Sequence, residues 1–122
     1  QTLNDASKKI VVQTGTSGGD WGKENLRNAT IVSVDDVAAA MAGVQTGLYD
    51  AMVIDLPVAS NLISTSYSDL TIAKEIPTGE QYGIVVSKDN PALTEAINKV
   101  LADMEKDGTM TALKTKWFGS NI

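Results

Sequence analysis

At 122 residues, 43% of them hydrophobic, the chain is long enough to form one globular domain with a core of its own. A formal charge of −5, with no basic cluster longer than Lys8-Lys9, argues against a nucleic-acid partner and against anionic membrane surfaces, and no apolar run approaches the roughly 20 residues that a bilayer span needs. Cysteine and histidine are both absent, which excludes zinc sites of the usual ligands, thiol nucleophiles, Ser-His-Asp triads and disulfide frameworks; no metal and no cofactor is expected.

In chain order, KKIVVQT (8–14), ATIVSV (29–34) and DAMVID (50–55) are rich in Val and Ile and too short for ordinary helices, so each reads as a buried parallel strand. Between them, residues 20–27 and 35–45 read as helices. The second has Val37, Ala40, Met41 and Val44 on one face, Ser33 or Asp35 to cap it and Gly47 to stop it. A third helix is expected from Leu56 to about Ile63, with Pro57 in its first turn, where a missing N–H costs nothing. This alternation is the βαβ signature of a doubly wound sheet.

Beyond residue 64 the pattern changes. LTIAKEI (70–76) and QYGIVVS (81–87) read as strands on either side of the turn PTGE. Asn90-Pro91 then opens a long amphipathic helix with Leu93, Ile97, Val100, Leu101 and Met104 at helical spacing, closed by Gly108. A last short helix ends at Lys116-Trp117-Phe118-Gly119. The fold class expected is α/β, a doubly wound and mainly parallel sheet with one antiparallel strand.

Two places at the C-terminal edge of such a sheet stand out, because open α/β folds bind ligands there. The first is the loop after the first strand, TGTSGGD (14–20). It satisfies neither G-x-x-x-x-G-K-[ST] nor G-x-G-x-x-G, so a nucleotide phosphate is disfavoured. A carboxylate is a better guest for the hydroxyls of Thr16 and Ser17 and one or two helix N-terminal amides, although a plain strand-to-helix turn would look the same. The second is Asp55, which ends the strand AMVID and can cap the third helix, seek a ligand cation, or do both with different oxygens. A phosphorylatable receiver module also has such an Asp, but it needs an acidic pair after the first strand, where this chain has Gln13-Thr14. An anion loop beside a cation-seeking carboxylate suits an amino-acid zwitterion.

The segments KKIVVQTGTSGGDW, DAMVIDLPVA and EQYGIVVSKDNPALTEAINKVLADMEKDGTMTALKTKWFG, in this order, resemble the polar-amino-acid-binding proteins of ABC importers. These are type 2 periplasmic or lipid-anchored substrate-binding proteins, in which two α/β lobes close on the ligand like a clamp. The resemblance implies that Thr16, Ser17 and the amide of Gly18 meet the ligand's α-carboxylate, that Gln13 touches the ligand from a strand end, and that Asp55 pairs with the α-ammonium. It implies a hinge strand at Glu80, Gln81 and Tyr82, and no catalytic residue.

Family chains are much longer, and the likeness is to the second lobe and the C-terminal segment, so half a clamp is expected. Residues 1–79 would be the ligand-binding lobe, and residues 80–122 the hinge strand and helices that pack on the other lobe. The implied function is extracytoplasmic capture of an amino acid for delivery to the importer's membrane subunits, with the signal segment outside this chain. Two alternatives share the fold: a sensing domain of a receptor or histidine kinase, and a dehydratase-type enzyme. Without the other lobe, residues 82–87 are expected either to fold back on their own sheet or to cross to a second copy and form a strand-swapped homodimer.

Overall fold

The computed structural model of the chain describes residues 2–119, which divide into two compact units, one ending at Ile72 and the other beginning at Ala73.

The first unit contains β1 (Lys9–Gln13), α1 (Ser17–Asn25), β2 (Thr30–Val34), α2 (Val37–Gln45), β3 (Ala51–Val53) and α3 (Leu56–Thr65). The strands are parallel in the order β2-β1-β3, with Val11 level with Val32 on one side and Met52 on the other. Successive residues of a strand point to opposite faces, so a central strand covered on both sides is apolar throughout. Ile10, Val11 and Val12 of β1 are accordingly all fully buried, and each contributes about 1.5–3 kcal/mol. Ala40 and Met41 of α2 and Ala59 of α3 complete the buried apolar set.

Glycines line the side of helix α1 that faces the sheet. A Cβ on Gly22 would lie 3.3 Å from Val12 Cγ1 and 3.9 Å from Val53 Cγ2, and one on Gly19 would lie 3.0 Å from the Gln13 carbonyl oxygen. The run SGGDWG therefore belongs to the helix, which begins at Ser17 rather than Asp20. Helix α2 is capped by Asp36, whose Oδ1 accepts from the amides of Ala38 (2.8 Å) and Ala39 (3.2 Å), not by Ser33 or Asp35.

At the opposite end of the sheet, Asp50 Oδ2 accepts from the Lys9 amide at 2.8 Å and Lys8 Nζ lies 3.4 Å from Oδ1. The Lys9 amide, with help from the Lys8 charge, holds the Asp50 carboxyl below the usual carboxylate range.

The second unit contains a helical hairpin of α4 (Pro91–Asp107) and α5 (Thr109–Phe118), turned by Gly108 at φ 84°. Asn90 Oδ1 caps α4 by accepting from the Leu93 amide at 3.1 Å. Ile97, Leu101, Met104, Met110 and Phe118 are half-buried, whereas Leu93, Val100, Leu113 and Trp117 are exposed, Trp117 by 54%.

The expected strands 70–76 and 81–87 are not formed, and among the described residues the sheet has no antiparallel strand. β-Propensity becomes a strand only when a neighbour supplies the other half of the hydrogen-bond ladder. No such neighbour is paired with these segments, and β3, at three residues, presents a short edge. Ile84 and Val85 are exposed, Val85 by 96%, and residues 82–87 form no strand.

Candidate functional site

The C-terminal edge of β1 and β3 gathers five of the residues marked in the sequence. Gly15, at φ 72°, turns the chain out of β1 and into α1, a conformation that glycine adopts without a steric penalty. Thr16 follows in extended conformation as the N-cap of α1. Its hydroxyl donates to the Gln13 carbonyl at 2.8 Å and accepts from the Gly19 amide at 3.1 Å. Ser17 and Gly18 are the first two residues of the helix, where amides have no intrahelical acceptor and the helix dipole favours an anion.

Gly18 settles where that helix end sits. A Cβ there would lie 3.3 Å from the Val53 carbonyl oxygen and 3.6 Å from Ile54 Cα, so the first turn of α1 rests on the chain leaving β3. Asp55 is the next residue along. It occupies the N-cap position of α3, where its carbonyl accepts from the Ala59 amide at 3.0 Å, but its carboxylate makes no capping bond. Of the two roles open to Asp55 from the sequence, the structure gives it the cap position without the side-chain cap.

The Gln13 side chain is engaged sideways, its Nε2 donating to the Asp35 carbonyl at 3.3 Å and bridging β1 to the corner that starts α2. Glu80, Gln81 and Tyr82, expected as a hinge strand, lie in the irregular part of the second unit. Among the described residues no cluster of acidic side chains is arranged to hold a metal ion, and no helix is long and apolar enough to cross a membrane.

Two features of this edge escaped the sequence reading. The glycines of α1 looked like loop residues because glycine is rare inside helices, and only the contact with the sheet explains them. The hydroxyl of Thr16, marked in the sequence as a candidate ligand donor, is also the N-cap of α1. The spacing T-x-x-G is that of an N-cap and its N3 amide, a signal that was available.

The edge thus seats the first turn of α1 against the chain leaving β3, one residue before Asp55. The sequence pattern of the bacterial extracellular solute-binding proteins, family 3, matches residues 2–120. The chain is 30% identical over 115 residues to the L-cystine-binding protein TcyJ of Escherichia coli K12, covering 94% of this chain and 43% of that protein. Among solved structures it is similar to the ancestral amino acid-binding protein AncCDT-1, a precursor of cyclohexadienyl dehydratase, with 34% identity and a TM-score of 0.75 over 95% of this chain and 49% of the other. It is also similar to an ancestral arginine-binding protein bound to glutamine, with 35% identity and a TM-score of 0.73 over 97% of this chain and 53% of the other. The chain therefore spans about half the length of the proteins it matches, or slightly less.

Proposed function

The chain belongs to the bacterial extracellular solute-binding proteins, family 3, and has their type 2 periplasmic-binding-protein fold; on that premise we propose that it is one lobe of an amino-acid clamp serving an ABC importer. The observation that carries this reading is the seating of α1 on the end of β3, which sets the Ser17 and Gly18 amides close to Asp55. In this proposal those amides, in the loop shaped by Thr16, receive the ligand's α-carboxylate. Asp55 receives the α-ammonium, and Gln13 borders the ligand from the end of β1. Residues 1–79 form the ligand-binding lobe; residues 80–122, beginning with Glu80, Gln81 and Tyr82, form the hinge and the helices meant for the other lobe. The protein works outside the cytoplasmic membrane and passes its ligand to the importer's membrane subunits.

Binding, rather than catalysis, is the role this edge suits, since holding a zwitterion needs only a fixed donor pair and a fixed carboxylate. A sensing role in a receptor or kinase would use the same edge. A dehydratase-type reaction, which the likeness to a dehydratase precursor brings into view, would need a proton-transfer partner beside Asp55. A thermal-shift screen of the complete binding protein against the twenty standard amino acids tests the proposal. A ligand at 100 times its Kd stabilises the folded state by about 2.7 kcal/mol, so at least one amino acid should raise Tm by several degrees. If none does, the proposal fails.

The exposed apolar residues of the second unit support one further partner. We propose that the chain alone exchanges residues 82–87 with a second copy, each supplying a strand to the other's sheet, since Ile84 and Val85 are otherwise left in water.

A further inference from the structure

The single proton of the Thr16 hydroxyl decides what this residue can do for a ligand. A threonine hydroxyl has one donor and two acceptor positions. In the structure the proton goes to the Gln13 carbonyl at 2.8 Å, and an acceptor position is taken by the Gly19 amide at 3.1 Å. A ligand carboxylate can only accept, so Thr16 could serve it only by giving up the bond to Gln13. The same two bonds tie the last residue of β1 to the first turn of α1 across the Gly15 turn. They act over a short span and are partly sheltered from water, where hydrogen bonds hold their geometry best.

We propose that Thr16 is a positioning residue: its hydroxyl latches β1 to α1 and so presets the Ser17 and Gly18 amides for the ligand, without touching the ligand itself. This rests on the reading of that edge as the ligand site. It divides the five candidate residues by task. The carboxylate is met by backbone amides, which carry no side-chain identity, and the identity that matters is that of the latch. The latch also occupies the Gly19 amide, which is therefore not offered to an anion.

Three substitutions in the full chain separate positioning from direct contact: Thr16→Ser keeps the hydroxyl, Thr16→Val keeps the shape without it, and Thr16→Asn supplies a different capping oxygen for Gly19. The readouts are amide hydrogen exchange at Gly19 and glycine titrations followed by NMR at Ser17 and Gly18, with acetate as the carboxylate-only control. Thr16→Val should lose about tenfold in Gly19 protection and about tenfold in apparent glycine affinity, while the amides of β1 and α2 keep theirs. Both Thr16→Ser and Thr16→Asn should stay within about threefold of the parent; the Asn rescue, with no hydroxyl present, is the one that direct hydroxyl contact does not allow.

Unchanged Gly19 protection in Thr16→Val overturns the latch. So does loss of glycine binding in Thr16→Asn with Gly19 still protected, which would place the hydroxyl on the ligand. If Thr16→Val does not fold, the Asn variant decides alone. If glycine and acetate leave Ser17 and Gly18 of the parent undisturbed, the reading of the edge as a ligand site fails, and the Gly19 exchange arm still tests the latch.

Discussion

Replacing Gly19 by alanine sets two known effects against each other. Alanine in place of glycine inside a helix gains about 1 kcal/mol from backbone entropy and propensity, less near an end. At Gly19, however, the new Cβ would lie 3.0 Å from the Gln13 carbonyl oxygen and 3.4 Å from Thr16 Oγ1. The first is a backbone atom of the central strand, and the second belongs to the residue bonded both to it and to the Gly19 amide. Neither can swing aside as a surface side chain would, so α1 must lift. Overpacking of this kind costs about 1–3 kcal/mol, and disturbing the cap costs about 1 kcal/mol more. The penalty exceeds the gain, and Gly19→Ala should lower stability by about 1–3 kcal/mol. Gly22→Ala is the internal control. Its Cβ would meet Val12 Cγ1 at 3.3 Å and Val53 Cγ2 at 3.9 Å, side-chain methyls that can yield slightly, so it should lie within about 0.5 kcal/mol of the parent. Urea unfolding followed by circular dichroism measures both, with an unchanged slope required for the comparison. If Gly19→Ala proves as stable as Gly22→Ala, α1 does not sit on the sheet as described, and the placement of Ser17 and Gly18 beside Asp55 falls with it.

In the complete binding protein, Asp55→Asn should weaken amino-acid binding by about 2–5 kcal/mol, because the ligand ammonium is left buried without its counter-charge. Calorimetry showing parent-like affinity would reduce Asp55 to a structural position at the start of α3. The Asp50 carboxyl, held low by the Lys9 amide and the Lys8 charge, binds a proton more readily in the unfolded chain than in the folded one. Its contribution is therefore present above the ordinary carboxylate pKa and disappears as pH falls below about 4. Asp50→Asn should flatten part of the fall in Tm between about pH 5 and pH 2; an acid limb identical to the parent's would show that the pair contributes nothing. Light scattering of the isolated chain at micromolar concentration should give a dimer, and Val85→Lys should favour the monomer by placing a charge on the exchanged segment. A mass of 12.9 kDa for the parent at every concentration refutes strand exchange.

The first unit was legible in the sequence because its signals are local and agree with one another. The runs around Ile10, Ile31 and Met52 are apolar on both faces, which only a parallel sheet covered by helices requires, and the helices between them have the spacing to cover it. The helix hairpin was legible for a similar reason. Asn90 and Gly108 are strong start and stop residues whose effects depend on the neighbouring backbone alone, and α4 runs between them as expected. The segments 70–76 and 81–87 were misread because strand formation is a relation between two segments. The pattern in QYGIVVS records a preference for a pleated, half-buried surface, and the chain alone pairs it with none.

At the candidate site the sequence marks small residues without showing why each is small. TGTSGGDW contains small residues for two different reasons that composition cannot separate. Gly15 is small because the backbone turns through a left-handed conformation there, with open space where a side chain would go. Gly18 and Gly19 are small because the sheet leaves them no room. The first kind of glycine makes a loop, and the second allows a helix end to press against a strand end. The distinction has a consequence for the ligand. A flexible loop would have to be ordered at each binding event, at an entropic cost taken from affinity, whereas amides fixed by packing and by the Thr16 latch are in place beforehand. In the proposed clamp, an edge built in this way would hold an anion in one geometry from one side, and the second lobe would have only to close on a guest that is already oriented.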